Sequence, residues 1–165
     1  MMYSADYDSP IGKIIMVSDG EALISVSFYG QEHFLSSIND DIIQDDDLTI
    51  FKKVKRWLDS YFNGENPEID FTLKPQGSEF RCKVWARLLE IPYGKTVTYG
   101  EIAREISDTM SAQAVGGAVG QNPIAIIIPC HRVLGSNGGL TGYAGGIDRK
   151  AELLKLEKTT FLDPK

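Results

Sequence analysis

The sequence lacks a long hydrophobic run and is poor in both cysteine and histidine. No apolar stretch approaches the roughly 18 residues that a membrane-spanning helix needs, and the first residues do not combine a basic segment with an apolar core. The two cysteines could pair, but Cys82 lies within a helical pattern and Cys130 lies beside a histidine. His33 has no partner at metal-ligand spacing. We therefore expect a cytoplasmic protein with free thiols, no metal and no membrane contact.

A net positive charge, which is common in nucleic-acid-binding proteins, is also missing. The formal net charge is −6, and phosphate contacts require local positive charge. The charge is unevenly distributed: residues 1–77 hold 6 Lys/Arg and 14 Asp/Glu, a net of −8, whereas residues 78–165 hold 11 and 9, a net of +2. We interpret the acidic cluster at residues 40–47 as a solvated loop. The second half remains compatible with a nucleic-acid partner.

The first half of the chain is predicted to form an antiparallel sheet covered by a helix. Residues 14–17 and 23–28 are β-prone runs separated by a turn that contains Asp19-Gly20, a pair that favours a tight hairpin. In residues 50–62 the apolar positions recur at helical spacing, and Gly64 follows as a stop signal.

Weaker signals complete this half. Residues 31–38 predict a short helix, and residues 69–73 predict a possible strand. Pro75 and Gly77 then mark a change in composition that is typical of a domain boundary. We place a sheet-plus-helix domain at residues 1–76 and a second domain at residues 77–165.

The second half is predicted to be mostly helical. Apolar spacing predicts helices at residues 79–90, 100–106, 111–120 and 147–158, with Thr98 as the capping residue of the second. The short connection between the second and third of these helices indicates a helix-turn-helix, a motif that is common in DNA-binding proteins.

The helix predicted at residues 111–120 has very little side-chain bulk. Alanine and glycine dominate it, although each glycine inside a helix costs up to about 1 kcal/mol. Two explanations stay open on composition alone. Either the helix packs tightly against a neighbouring helix, or a partner molecule approaches its backbone closely.

Residues 122–133 contain the strongest chemical signal. The three isoleucines at residues 126–128 predict a buried strand, and Pro129 ends it because proline has no N–H to donate. Cys130 would then leave the strand end beside His131, with Arg132 supplying positive charge and glycine-rich segments on both sides. A lone cysteine is most often a packing residue, but this combination indicates a reactive thiol. The fold class is therefore α/β (α+β), with a short strand that carries the Pro-Cys-His motif.

Several motifs of the second half resemble the O6-alkylguanine-DNA alkyltransferase family. The resemblance covers nearly all of residues 79–165, and the first half resembles the family's sheet-plus-helix N-terminal domain more loosely. The residues that carry it are Tyr99, the small-residue run from Ala112 to Ala118, Asn122-Pro123, the Pro-Cys-His-Arg-Val run from Pro129 to Val133, Tyr143 with Gly145-Gly146, and Glu157.

The resemblance implies direct DNA repair. An alkyl group would move from guanine O6 to Cys130 in a single turnover, without a cofactor, and the protein would be consumed. In the family's pattern Glu157 orients His131, which acts through a water molecule on Cys130. The implied catalytic residues are Cys130, His131, Glu157, Tyr99 and Asn122.

The resemblance also implies how a monomer would bind double-stranded DNA that contains O6-alkylguanine. The small-residue helix would enter the minor groove while the target base is rotated out of the stack. The implied DNA-binding residues are Tyr99, Ala112, Gln113, Ala114, Gly116, Gly117 and Arg132. The implied base pocket is formed by Val133, Tyr143 and Ala144, with main-chain groups reading the base edge.

Two positions depart from the family's usual pattern. Gln113 stands where many members carry an arginine that fills the space left by the rotated base, and an amide supplies neither the charge nor the stacking plane of a guanidinium. Ala144 stands where many members carry serine. The second change is mild because the backbone N–H remains.

Two other classes of function are left open by the residues. An alkyltransferase-like protein would bind the same lesions without repairing them, but such proteins typically have another residue at the acceptor position. A cysteine hydrolase would use Cys130, His131 and Glu157, but neighbouring Cys and His side chains on a strand end would point apart.

Overall fold

The computed structural model describes residues 1–31 and 41–159. Contacts divide the chain into two compact units, Met1–Gln76 and Gly77–Lys165. Each unit has its own cluster of buried apolar side chains. The mixed α/β class predicted from the sequence is confirmed. The helix predicted at residues 31–38 lies outside the described residues except for residue 31, and so does His33.

The first unit is built on a four-stranded sheet with the order β3-β2-β1-β4. Its strands are β1 (Met2–Ser9), β2 (Gly12–Ser18), β3 (Leu23–Phe28) and β4 (Ile42–Gln44). The predicted antiparallel hairpin of β2 and β3 is confirmed. Its turn is closed by Asp19, whose carboxylate accepts from the backbone N–H groups of Glu21 and Ala22 at 2.9 Å each. Gly20 supplies the positive φ of 107° that this turn requires.

Two strands of this sheet were not predicted. β1 pairs antiparallel with β2, and β4 pairs parallel with β1. β1 carries several polar residues, which obscured its alternation, and β4 is a three-residue strand inside the acidic segment that we interpreted as loop. Short edge strands carry little hydrophobic signal because only one neighbour pairs with them.

One helix, α1 (Thr49–Phe62), packs against β1 and β2, as its spacing predicted. The strand predicted at residues 69–73 is wrong. Leu73 makes only an isolated bridge to Leu23, in which Leu23 N–H donates to Thr72 O and Lys74 N–H donates to Leu23 O, both at 2.8 Å. Pro67 and Pro75 flank this segment, and neither has the N–H that a longer ladder would need.

In residues 77–159 the second unit contains four α-helices and a two-stranded parallel sheet. The helices are α2 (Glu79–Leu88), α3 (Tyr99–Ile106), α4 (Ala112–Gly120) and α5 (Ile147–Leu156), and the strands are β5 (Val97–Thr98) and β6 (Val133–Leu134). α3 and α4 pack together as the predicted helix-turn-helix. Thr98 caps α3 in a reciprocal capping box with Glu101, and Ser111 caps α4.

The strand predicted at residues 126–128 is wrong. This segment is a compact turn, Ile126 has a positive φ of 71°, and Cys130–Arg132 forms a short 3₁₀ helix. β6 begins only after the Pro-Cys-His motif, at Val133. The isoleucines are buried, as expected, but the β-branched run indicated burial and not pairing. The segment closes on itself because Asn122 satisfies its backbone groups.

Candidate active site

The Cys130 thiol is buried at the start of the 3₁₀ helix, and Asn122 supports the turn that leads to it. The Asn122 side chain accepts from Ile124 N–H at 3.0 Å and donates to the carbonyls of Ile124 at 3.3 Å and Ile128 at 2.9 Å. The Cys130 N–H in turn donates to Ile128 O at 2.8 Å. A strained φ at the β-branched Ile126 persists here because these bonds fix the backbone around it.

His131 and Glu157 meet inside the unit, although they lie 26 residues apart in the chain. Nε2 of His131 lies 2.7 Å from Oε2 of Glu157, and both side chains are fully buried. Glu157 directly follows α5 and is held there by further donors: Gly94 N–H at 3.3 Å, and Nε and Nη2 of Arg132 at 2.8 and 3.1 Å. The structure therefore brings together His131 and Glu157, two residues of the predicted site.

Burial and local charge shift the pKa values of these groups. Burial raises the pKa of the Cys130 thiol, while the Asn122 amide and the Lys150 charge act in the opposite direction. Burial lowers the pKa of His131, the Glu157 carboxylate opposes this change, and the charges of Arg132 and Lys150 reinforce it. Burial alone would raise the pKa of Glu157, but the hydrogen bonds and charges of His131 and Arg132 lower it to about 2. At neutral pH the site therefore holds a carboxylate beside a neutral imidazole.

Lys150 belongs to this site and was missed in the sequence. Its side chain is fully buried, and Nζ donates to the carbonyls of Val133 at 2.7 Å and Thr141 at 2.8 Å. Burial lowers the pKa of Lys150 to about 8, and the neighbouring Cys130 opposes the change. The sequence could have indicated that Lys150 is buried, because it lies one turn before Leu153 and Leu154 on the buried face of α5.

Two tyrosines of the predicted site meet at the segment before α5: Tyr99 contacts it from α3, and Tyr143 lies within it. The Tyr99 hydroxyl donates to Thr141 O at 3.1 Å, and the same carbonyl accepts from Lys150. The Tyr143 hydroxyl is buried and has no hydrogen-bond partner among the described residues. Burial raises the pKa of Tyr143 well above its usual value, and the nearby Cys130 adds to the shift. A buried hydroxyl close to the acceptor sulfur is suited to contact a bound substrate.

The other predicted pocket residues flank this segment. Val133 is buried in β6, and its carbonyl already accepts from Lys150. Ala144 is half-buried in the turn before α5. The reading of a base edge by main-chain groups of these residues stays a prediction.

The exposed face of α4 is bare. Ala112, Gln113, Ala114 and Gly117 are exposed, whereas Val115, Ala118 and Val119 pack inward. A Cβ placed on Gly117 would meet nothing within 4 Å, and one on Gly116 would lie 3.8 Å from the Tyr99 ring. Close packing against a neighbouring helix therefore does not explain the glycine at position 117. The remaining explanation is a partner that approaches the backbone.

Arg132, which the resemblance placed among the DNA-binding residues, faces the interior of the unit. Its side chain is buried, and its guanidinium donates to Glu157 and, through Nη1, to Ile91 O at 2.7 Å. The guanidinium also lies 5.7 Å from the centre of the Tyr93 ring. In this 3₁₀ turn both His131 and Arg132 point into the unit, where both contact Glu157.

Residues 1–31 and 41–159 contain neither a candidate metal site nor a candidate membrane-spanning helix. No group of three or more His, Cys, Asp or Glu side chains could hold a metal ion there. No helix in the same ranges has the length and hydrophobicity to cross a membrane.

These features define a class of protein. A helix-turn-helix with a bare exposed face, a buried thiol and a buried His–Glu pair lie in one unit, and the chain also has a separate sheet-plus-helix unit. Family models extend over both units: the ribonuclease-like domain of 6-O-methylguanine DNA methyltransferase matches residues 2–75, and its DNA-binding domain matches residues 79–159.

Individual relatives agree with these matches. A methylated-DNA--protein-cysteine methyltransferase of Methanosarcina acetivorans is 47% identical over 94% of this chain and 98% of its own. One of Haemophilus influenzae is 42% identical over 98% of this chain and 89% of its own. A crystal structure of Mycobacterium tuberculosis OGT in complex with DNA superposes with a TM-score of 0.86 at 44% identity, covering 94% of this chain and 92% of that one. The chain belongs to the 6-O-methylguanine DNA methyltransferase family.

Proposed function

We propose that this protein repairs O6-alkylguanine in DNA by transferring the alkyl group to Sγ of Cys130, once per chain. The bond between guanine O6 and the alkyl carbon breaks, and a thioether bond to sulfur forms. Guanine leaves with the bonding electron pair, so both electrons of the new bond come from the thiolate and no cofactor is needed. The observation that carries the proposal is the buried Cys130, next in the chain to an imidazole that lies 2.7 Å from a buried carboxylate.

The thiol needs a base because its surroundings oppose ionisation. A free thiol has a pKa near 8.5, and burial raises the pKa of Cys130. His131 accepts the thiol proton through a water molecule, and Glu157 fixes the orientation of the ring and stabilises the imidazolium that forms. Lys150 adds positive charge near the sulfur.

The protein is consumed because the product is stable. An acyl-enzyme is released when water attacks its carbonyl carbon, but a thioether has no such carbon. Cys130 therefore remains alkylated, and each chain repairs one lesion.

Access to the lesion requires the target base to leave the duplex, which costs a few kcal/mol. The bare face of α4, formed by Ala112, Ala114, Gly116 and Gly117, lies against the minor groove, and the lack of side chains there allows the backbone to approach the DNA. Gln113 enters the space left by the rotated base. Tyr99 contacts the target nucleotide, consistent with its position beside Gly116.

The rotated base lies in a pocket formed by Val133, Tyr143 and Ala144. Main-chain groups there read its edge, and Asn122 keeps the preceding turn in place. We further infer that the protein acts as a monomer, because one chain holds both the DNA-binding helix and the acceptor thiol. We place its activity in the cytoplasm.

The intact mass of the protein tests this proposal. After incubation with a duplex that contains O6-methylguanine, the mass should increase by one methyl group. An unchanged mass with retained binding to the lesion would instead identify a recognition protein. Repeated turnover of an ester substrate with an unchanged mass would identify a hydrolase.

A further inference from the structure

Arg132 makes an extensive set of contacts that the reaction described above does not use. Its Nε donates to Oε1 of Glu157 at 2.8 Å, its Nη2 donates to Oε2 at 3.1 Å, and its Nη1 donates to Ile91 O at 2.7 Å. This is the bidentate geometry in which arginine binds a carboxylate most strongly. The side chain is buried, so solvent screens the pair weakly.

The Glu157 carboxylate therefore faces two partners at once. Its Oε2 accepts from Arg132 and also lies 2.7 Å from Nε2 of His131. Because the guanidinium always carries a positive charge, it balances the charge of the carboxylate whether or not His131 is protonated. In a catalytic Ser-His-Asp arrangement, by contrast, the imidazole is the main partner of the carboxylate.

The consequence concerns the proton of the imidazole ring. A carboxylate beside Nε2 places a proton on that nitrogen, which leaves the lone pair on Nδ1. If the guanidinium were absent, a buried carboxylate without a cation would favour a second proton on the ring. A doubly protonated ring has no lone pair and cannot accept a proton from a thiol.

We propose that Arg132 is a positioning residue of the acceptor site, because its buried guanidinium keeps Glu157 ionised and leaves His131 as a neutral base with its proton on Nε2. Its consequence for the reaction rate rests on the proposed function. The protonation state itself is a property of the folded protein without DNA.

Other charged and titratable groups also face the His131–Glu157 pair. From α5 comes Lys150, whose Nζ donates to the carbonyls of Val133 and Thr141. Cys130 precedes the pair in the 3₁₀ helix, and Tyr93 lies against the guanidinium from the segment after α2. Burial disfavours a charged imidazole most strongly, Glu157 favours it, and the charges of Arg132 and Lys150 add to the effect of burial. Removing the Arg132 charge should therefore shift the balance towards the imidazolium.

A titration of the His131 ring by ¹⁵N NMR tests the proposal. The chain has two histidines, so a His33→Gln background leaves His131 as the only ring observed. We expect a neutral ring protonated on Nε2 at neutral pH, because burial lowers the pKa of His131. In Arg132→Met the second proton should bind at a pH at least about 1 unit higher, a tenfold change in proton affinity. Arg132→Lys, which keeps the charge, should shift the titration by less than half as much.

The variants also need a control for folding, because removing one partner of a buried ion pair is strongly destabilising. The double variant Arg132→Met with Glu157→Gln removes both charges and should restore a neutral ring. A His131 titration in Arg132→Met that matches the unmodified protein would overturn the proposal. If neither variant folds, a charged ring in folded Arg132→Lys would overturn it, and a neutral ring on Nε2 would support it.

The rate of reaction with free O6-benzylguanine between pH 6 and 9 provides a second test of the role of Arg132. Arg132→Met should lose rate mainly at the lower end of this range and recover as the pH rises, because only the neutral ring accepts a proton. A uniform loss at every pH would reduce Arg132 to a merely structural role and overturn the proposal. An unmodified protein that never reacts, together with the expected NMR titration, would reject the proposed function and leave this inference intact.

Discussion

Burial and the neighbouring polar groups shift the pKa of the Cys130 thiol in opposite directions. Burial raises its pKa, while the Asn122 amide and the Lys150 charge act in the opposite direction. The buried sulfur therefore favours the thiol form, and we expect that His131 must accept its proton before transfer. Substitutions of Cys130 and Glu157 test the roles of the acceptor sulfur and of the residue that orients its base.

Replacing Cys130 with alanine should abolish alkyl transfer and leave binding to a lesion-containing duplex within about twofold. The main-chain groups and the helix that meet the DNA do not depend on the sulfur, and the alanine side chain fits the same space. Binding by fluorescence anisotropy and transfer by mass measure the two effects separately. An equal loss of both would show that the substitution had disturbed the 3₁₀ turn.

Glu157→Gln should slow transfer by at least about tenfold at neutral pH, in the range expected for a weakened general base. Glutamine cannot stabilise the imidazolium, so the apparent pKa of the thiol should rise and the rate should recover towards pH 9. Rates at pH 6 to 9 with a small substrate provide the measurement. A profile identical to that of the unmodified protein would remove Glu157 from the mechanism.

The site residues differ in how far the sequence could identify them. The resemblance brought Cys130, His131 and Glu157 together, although the last is 26 residues from the histidine. It gave no indication that Arg132 points inward, because local sequence does not specify the side on which a turn residue emerges. Lys150 was missed because a single lysine within a helix most often lies on its solvated face.

At the scale of the elements, hydrophobic patterning predicted the helices well and the turns poorly. α1, α3 and α4 lie within one or two residues of their predicted bounds, because caps and spacing mark them. The isoleucine run at residues 126–128 gave the wrong element, since a buried turn and a buried strand have the same composition. What separates them is Asn122, whose three hydrogen bonds close the segment on itself.

The bare face of α4 is tested by adding bulk where the protein itself has room. Gly117→Leu should fold normally, because a Cβ there meets nothing within 4 Å, and loss of a helical glycine stabilises by up to about 1 kcal/mol. It should nevertheless weaken duplex binding at least about tenfold, since the side chain would hold the backbone away from the DNA. The reaction with free O6-benzylguanine should be unchanged. Undiminished duplex binding would mean that this face does not meet DNA.

Gln113→Arg tests the side chain on the same exposed face of α4. A guanidinium should fill the gap in the base stack better than an amide, by on the order of 1 kcal/mol, so repair of duplex DNA should accelerate several-fold. The free base has no stack to fill and should react at an unchanged rate. Salt must be held constant, because the added charge also strengthens phosphate binding. Equal acceleration of both substrates would place residue 113 in the thiol chemistry.

At the scale of the whole molecule, charge is divided between the units. The first half is strongly acidic and the second is slightly basic, which matches the location of the helix-turn-helix in the second unit. A net charge of −6 is thus compatible with DNA binding, because phosphate contacts depend on the local charge. The sequence could predict this division, since charge can be counted for each half without knowing the fold.

Acid should destabilise the second unit. Burial lowers the pKa of His131, and the pKa of Glu157 is lowered to about 2. The stability that each group contributes is present above its unfolded pKa and is lost as the pH falls through its folded pKa. For Glu157 this is on the order of 3 kcal/mol, lost from about pH 4.5 downwards. Thermal unfolding should therefore shift to lower temperature from pH 7 to pH 3.

The fluorescence of Trp85, which lies in α2, follows this transition in a Trp57→Phe background. Glu157→Gln should unfold at a lower temperature than the unmodified protein at pH 7 and should depend less on pH below 4.5. The same pH dependence in both proteins would show that Glu157 is not held as a carboxylate in the folded unit.

The central claim is that Cys130 accepts one alkyl group and is not regenerated. A titration of the protein with an excess of O6-methylguanine duplex, followed by peptide mapping, tests it most directly, because the half-buried Cys82 provides an internal control thiol. We predict that transfer stops at one methyl group per chain and that all of it lies on Cys130. Transfer of more than one methyl group per chain, or a methyl group on Cys82 while Cys130 stays free, would contradict the account.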